Sequence, residues 1–151
     1  MKLQKTKLAK TLFLGLVTLL LFSCGGAEEP YTKQTFPVTG KITIDGTEPG
    51  SPVKVSCHNK GEIDTEHPTI SGCQTADDGT FEISTYTSGD GMPEGEYVLT
   101  FLWGKYNAIS RSYGGSDKLK KRYRDPKKSE ISFIVEEGKP TDLGTIELTT
   151  K

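Results

Sequence analysis

Short apolar segments with a two-residue period, separated by glycine-rich turns, constrain the fold of this 151-residue chain more than any other feature. Residues 36–44, 53–58 and 131–135 alternate apolar and polar side chains, as strands with one buried face do. Residues 96–103 are apolar at both parities, which predicts a central strand buried on both faces. Because no long segment has the helical period, we predict an all-β chain, a single antiparallel β-sandwich of about seven strands.

The N-terminus has the three parts of an export signal. Residues 1–10 carry four lysines and no acid, residues 11–22 are mostly apolar, and the small residue Ser23 precedes Cys24. A dozen apolar residues fall well short of the roughly 20 that cross a bilayer as a helix. Cysteine at the first mature position resembles the lipobox of bacterial lipoproteins, whose thiol takes a diacylglycerol. An uncleaved anchor and an ordinary signal peptide with an incidental cysteine are the alternatives.

These features predict a lipid-anchored protein with three parts. Residues 1–23 form a lipoprotein signal peptide, residues 24–35 a lipidated flexible tether, and residues 36–151 the β-sandwich domain. Stable anchoring needs two or more acyl chains, such as palmitate, and a lipidated Cys24 would carry at least two. Gly25 is not the aspartate that retains some lipoproteins at the inner membrane. We therefore expect a location in the cell envelope, at the outer membrane.

The net charge of the mature chain indicates which partners to expect, and its export indicates the redox state of its cysteines. The mature chain has 15 basic and 20 acidic residues, a net charge of −5, so we expect no nucleic-acid partner. Outside the inner membrane, Cys57 and Cys73 are free to form a disulfide, which would stabilise the domain by about 3 kcal/mol in the chain-entropy model. Free thiols, or a metal site shared with His58 and His67, are the alternatives. The order of these cysteines and histidines along the chain matches no standard zinc spacing.

No constellation of residues indicates catalysis. His58 and His67 have no nucleophile motif near them. Glu62, Asp64 and Glu66 alternate in a polar loop but lack the glycine-centred spacing of an EF-hand calcium loop. We therefore expect no catalytic residues, no metal and no cofactor, and predict that the chain is not an enzyme.

Residues 104–128, the basic segment, differ from the rest of the chain. They hold nine basic and two acidic residues, a net charge of +7, and exceed the usual connection of about 4–6 residues. Ser116 and Asp117 are expected to cap a helical turn that runs to Tyr123 and ends at Asp125-Pro126. The segment either binds an anionic ligand or is a solvated surface that offsets an acidic sandwich. The candidate ligand surface comprises Lys118, Lys120, Lys121, Arg122, Arg124, Tyr106, Tyr113 and Tyr123.

Three segments carry a family resemblance: Val38–Gly46, Thr75–Tyr86 and Gly89–Thr100. With Tyr123-Arg124-Asp125-Pro126 and the strand after Ser129, the chain resembles the carboxypeptidase regulatory-like (transthyretin-like) domain of small bacterial lipoproteins. The cysteine pair and the length of residues 106–115 depart from that pattern.

The resemblance implies a seven-stranded transthyretin-like or Ig-like sandwich without catalytic residues. It also implies a membrane-anchored envelope lipoprotein that acts as a non-enzymatic binding or structural module. The alternative is a carbohydrate-binding or substrate-capture accessory of a nutrient-uptake system. The expected partners are the membrane, through the lipid anchor, and an anionic polysaccharide or an envelope protein.

Overall fold

The computed structural model describes residues 30–151, so the predicted signal peptide and Cys24 lie outside the described residues. Thr32–Lys151 forms one compact unit. The strands are β1 Val38–Ile44, β2 Lys54–Asn59, β3 Ser71–Gln74, β4 Thr80–Glu82, β5 Gly95–Leu102, β6 Lys105–Asn107, β7 Ser112–Gly114, β8 Ser132–Val135 and β9 Thr141–Leu148. Residues 30–151 contain one short 3-10 helix, Pro126–Lys128, and no helical segment with the length and hydropathy that a membrane span requires.

Seven of these strands form two larger sheets, which confirms the predicted all-β fold. One sheet has the order β4-β1-β9 and the other has the order β3-β2-β5-β8. The prediction that all strands pair antiparallel was wrong for β1 and β9, which pair in parallel with Ile42 opposite Ile146 and Ile44 opposite Leu148. The chain changes sheets between β8 and β9, so no hairpin forces β9 to run against its neighbour.

The core lies where the two sheets face each other, as the alternating pattern predicts. From β1 it takes Val38, Ile42 and Ile44, and from β5 it takes Tyr97, Leu99 and Phe101. Val98 and Thr100, on the opposite face of β5, are also buried, which confirms the prediction of a central strand covered on both faces.

The remaining strands, β6 and β7, form a separate hairpin inside the basic segment, for which we predicted a long connection with a helical turn. Lys105 pairs with Gly114, and Tyr106 pairs with Tyr113. The three-residue strands are too short for a two-residue period to be recognised in the sequence. Two residues, Trp103 and Gly104, separate β5 from this hairpin.

The predicted disulfide is not formed, and Cys57 and Cys73 are free thiols. In the β2–β3 pairing, Cys57 lies opposite Ser71, while Cys73 lies opposite Val55. The two cysteines are therefore diagonal neighbours. Diagonal pairs have Cα atoms about 7–8 Å apart, beyond the roughly 4.4–6.8 Å that a disulfide spans. Burial raises the pKa of each thiol to about 12, so both stay protonated at neutral pH.

Candidate anionic-ligand site

The carboxylate of Asp117 organises the basic segment where it leaves the sandwich. Its Oδ1 accepts hydrogen bonds from the backbone N–H of Trp103 (3.2 Å) and of Leu119 (3.0 Å). Its Oδ2 accepts from the N–H of Lys121 at 3.1 Å. The prediction that Asp117 caps the following residues is confirmed in this respect, because its carboxylate accepts from the N–H groups of two of them, Leu119 and Lys121.

The predicted helical turn after Asp117 is wrong in its conformation. Residues 118–123 form consecutive turns, and Lys120 and Lys121 have φ angles of +56° and +63°. A right-handed helix cannot contain two successive left-handed residues. Asp125-Pro126 does not end a helix either. It begins the 3-10 helix, in which the side chain of Asp125 accepts from the N–H of Lys127 at 3.0 Å.

Two side chains attach these turns to the sandwich. Leu119 is fully buried in the core. Tyr123 meets the ring of Phe101 edge-on, with centroids 6.2 Å apart, and its hydroxyl accepts from the N–H of Thr149 at 3.1 Å. Its carbonyl also accepts from the N–H of Phe101 at 2.8 Å. The backbone in the middle of the basic segment is therefore held against the domain.

Lys118 differs from the other candidate cations because its charge already has a partner. Its ammonium lies 4.1 Å from the ring centroid of Trp103, a cation–π contact. The indole N–H of Trp103 donates to Ser51 Oγ at 2.9 Å, which orients the ring. Lys118 is therefore placed to stabilise the turn at least as much as to meet a ligand.

A cleft of about 580 Å³ lies beside the turns, and three of the candidate cations line it: Lys120, Lys121 and Arg124. Tyr113 and Asp117 also line it. Within residues 30–151, these three cations form no ion pair. The structure thus brings four of the eight predicted residues together, whereas Lys118, Arg122, Tyr106 and Tyr123 are not among the cleft's lining residues.

The tyrosines of the hairpin pack on each other and do not project as separate flat faces for sugars. Tyr106 and Tyr113 are cross-strand partners whose ring centroids lie 5.1 Å apart. Both are half-buried. Among the described residues, the Tyr113 hydroxyl is a buried polar group without a hydrogen-bond partner. Burial, with smaller contributions from Tyr106 and Cys73, raises its pKa to about 12.

A second, smaller cleft of about 150 Å³ lies on the outer face of the β3-β2-β5-β8 sheet, and the sequence did not indicate it. Lys54, His58, Thr100 and Arg124 line it. The Nε2 atom of His58 lies 2.8 Å from Thr100 Oγ1. These residues meet because β2 and β5 are adjacent, a pairing that no local pattern predicts. Arg124 lines both clefts.

We expect His58 to make stability depend on pH. Desolvation lowers its pKa from the ordinary 6.5, so below that value the unfolded chain binds more protons than the folded one. The free energy of unfolding should therefore fall as the pH drops through 6.5. Urea unfolding of wild type and His58→Gln at pH 5–8 measures this effect. The variant should show a flatter profile, and parallel profiles would contradict the assignment.

The acidic loop between β2 and β3 is held by protein groups. Asp64 forms a 2.6 Å salt bridge with Lys33 and accepts from the backbone N–H of Glu66 and of His67. The bond from Lys33 is the main cause that lowers the pKa of Asp64 to about 2. Lys33 lies in the predicted tether, and its N–H also donates to Tyr86 Oη at 3.0 Å. Residues 30–151 contain no group of three or more histidine, cysteine or acidic side chains arranged to hold a metal ion.

The chain matches no family model and no curated protein. A 9R-lipoxygenase from Cyanothece PCC8801 is among the solved structures similar to it, with 14% sequence identity and a TM-score of 0.36. The match covers 82% of this chain and 18% of the lipoxygenase chain. The prediction that the chain is not an enzyme is not retained. A likeness of this size does not assign an activity to the chain either.

Proposed function

We propose that the protein is a lipid-anchored envelope lipoprotein whose β-sandwich acts as a binding or structural module for an anionic ligand. The observation that carries this proposal is the cleft lined by Lys120, Lys121 and Arg124, three cations without an ion-pair partner among residues 30–151. A solvated surface that only offsets an acidic sandwich would need neither a cleft nor turns held by Asp117 and Leu119. Holding the backbone that carries these cations before binding lowers the entropy cost of capturing a ligand.

The anchor in this proposal rests on the sequence around Cys24. A basic start, an apolar run and a small residue before the cysteine support export and lipidation. Gly25 supports the outer membrane. The resemblance to carboxypeptidase regulatory-like domains of small lipoproteins supports the same location. The ligand is then envelope material with exposed negative charge, an acidic polysaccharide in the first place.

A carbohydrate-capture role beside a nutrient-uptake system is the second candidate. The volume of the cleft, about 580 Å³, favours it, since pockets for small ligands commonly measure about 300–1,000 Å³. The packing of Tyr106 against Tyr113 counts against a platform for neutral sugars. Charge on the glycan therefore separates the two candidates.

We expect the full chain, inserted by its anchor into phosphatidylcholine vesicles, to carry a labelled polyuronate through a flotation gradient at low salt. Moderate salt should release the polymer, because screening weakens exposed charge contacts. Neutralising Lys118, Lys120, Lys121 and Arg122 to glutamine should reduce capture at least tenfold, since each cation near a polyanion contributes up to about 1 kcal/mol and a tenfold change corresponds to about 1.4 kcal/mol. A neutral dextran should not be carried.

The matched control neutralises four other cations of the basic segment: Lys105, Arg111, Lys127 and Lys128. This variant has the same net charge and should keep most of the capture. A Cys24→Ser chain should not float with the vesicles. If wild type carries no polyuronate at low salt, the anionic-ligand proposal is wrong; equal capture of dextran and polyuronate would favour the second candidate.

A further inference from the structure

We propose that the cleft beside the basic turns binds a phosphomonoester, held by Lys120, Lys121 and Arg124. This inference rests on the proposed function and deepens it, because it names the chemical group that the site selects. The phosphomonoester could belong to a phosphorylated sugar or to a lipid headgroup.

The charge of the cleft favours phosphate over carboxylate. Lys120, Lys121 and Arg124 contribute three positive charges, and Asp117 is the one acid in the lining. Both oxygens of Asp117 already accept backbone N–H groups, so this carboxylate is engaged in holding the turn. A phosphomonoester carries about −1.5 to −2 charges at pH 7. It therefore matches the net positive charge of three cations and one carboxylate in the lining better than a single carboxylate ligand does. Arginine also binds phosphate oxygens through paired N–H groups.

The backbone of the turn supports a built site. Lys120 and Lys121 both adopt the left-handed backbone conformation. This conformation is unfavourable for most residues, with glycine and asparagine as the main exceptions. The Lys120 N–H donates to the Asp117 carbonyl at 3.0 Å, and the Lys121 N–H donates to the Asp117 side chain at 3.1 Å. Two successive strained residues persist only where the surroundings hold them, and such strain clusters at functional sites. Here the strained residues carry two of the three cations of the cleft.

The walls of the cleft leave room for a ligand. Gly104, Gly114 and Gly115 line it and place no side chain in it. A side-chain carbon added at Gly114 or Gly115 would meet no atom within 4 Å. Leu119, buried in the core, keeps the cationic side of the cleft attached to the sandwich. A sugar phosphate therefore fits in size as well as in charge.

Trp103 provides the readout for a binding experiment. It is the chain's single tryptophan, its ring contacts the ammonium of Lys118, and its backbone N–H donates to the Asp117 carboxylate. The full chain in phosphatidylcholine vesicles is titrated with glucose 6-phosphate and with glucuronate at constant ionic strength. Trp103 fluorescence and calorimetry should both report binding of the phosphate, with affinity for glucuronate at least about tenfold weaker.

The decisive variant is Lys120→Asn/Lys121→Asn, because asparagine tolerates the left-handed conformation better than most residues. It removes two cations without adding backbone strain and should weaken glucose 6-phosphate binding about tenfold or more. The matched control, Lys127→Asn/Lys128→Asn, removes two cations from the 3-10 helix and should stay within about twofold of wild type. Phosphatidic acid in the same vesicles distinguishes the two sources of the phosphomonoester. It should compete with glucose 6-phosphate if the natural ligand is a lipid headgroup. It should have no effect if the natural ligand is a soluble phosphorylated glycan.

Two results would overturn the inference. Equal affinities of the two double variants would show that general charge, not this cleft, binds the phosphate. Equal affinities for glucose 6-phosphate and glucuronate would show that the cleft does not select phosphate. Neither result decides whether the protein carries polyuronate in the flotation experiment, so the two proposals fail separately.

Discussion

Replacing Gly91 with alanine should lower the free energy of unfolding by about 3–4 kcal/mol. Gly91 has a φ of +83°, which costs other residues about 1–2 kcal/mol. A Cβ atom there would lie 1.8 Å from the carbonyl oxygen of Phe36. Relieving that clash would separate the Phe36–Met92 bridge, whose two hydrogen bonds measure 2.9 and 3.1 Å and contribute about 1 kcal/mol each. Urea unfolding followed by circular dichroism measures the loss.

Gly138→Ala is the matched control for this prediction. Gly138 has a similar φ of +71°, but a Cβ atom there would meet nothing within 4 Å. Its replacement should lower the free energy of unfolding only by the cost of a positive φ angle in alanine, about 1–2 kcal/mol. Equal losses for the two variants would mean that the contact with Phe36 is not a constraint on the fold.

Leu119→Ala should have the second large effect, a loss of about 2–5 kcal/mol. Leu119 is fully buried, and shortening a buried leucine removes apolar contacts and leaves a cavity. The change also detaches the turns that carry Lys120 and Lys121. Trypsin should therefore cut the basic segment faster in the folded variant than in wild type, because local opening exposes these lysines to the protease.

Ile109→Ala controls for the removal of an aliphatic side chain from the same segment. Ile109, at the turn between β6 and β7, is 98% exposed, so its replacement should change stability by no more than about 0.5 kcal/mol. Trypsin cleavage between Lys118 and Arg124 should also remain at the wild-type rate. If Leu119→Ala were as stable and as resistant as Ile109→Ala, the basic segment would not depend on its core contact.

Local periodicity was enough to predict most of the sandwich. Residues 38–44 and 54–58 alternate because one face of each strand meets the core, and that information lies within a few neighbouring residues. The buried β5 was predicted from apolar residues at both parities, which is also information within a few neighbouring residues. The hairpin of β6 and β7 was not, since each of its strands has only three residues. Tyr106 and Tyr113 were noticed as tyrosines among cations, although their spacing across a turn was also a signal of pairing.

The cysteines show where local reasoning ends. Their separation along the chain was compatible with a disulfide, but the β2–β3 register places Cys57 opposite Ser71 and leaves Cys73 on the diagonal. Register depends on how whole strands bury their faces, and a shift of one residue exchanges the two faces. The parallel pairing of β1 with β9 likewise depends on where the chain changes sheets, more than 90 residues after β1.

The sequence by itself determined the all-β class, the central strand and the concentration of positive charge in residues 104–128. These properties are sums or periods over neighbouring residues. Only the tertiary structure decided how these cations are arranged: Leu119 enters the core, Asp117 holds the turn, Lys118 meets Trp103, and Lys120, Lys121 and Arg124 line one cleft. The physical reason is that burial and hydrogen bonding join residues that are distant along the chain, and the cleft exists only once those contacts have formed.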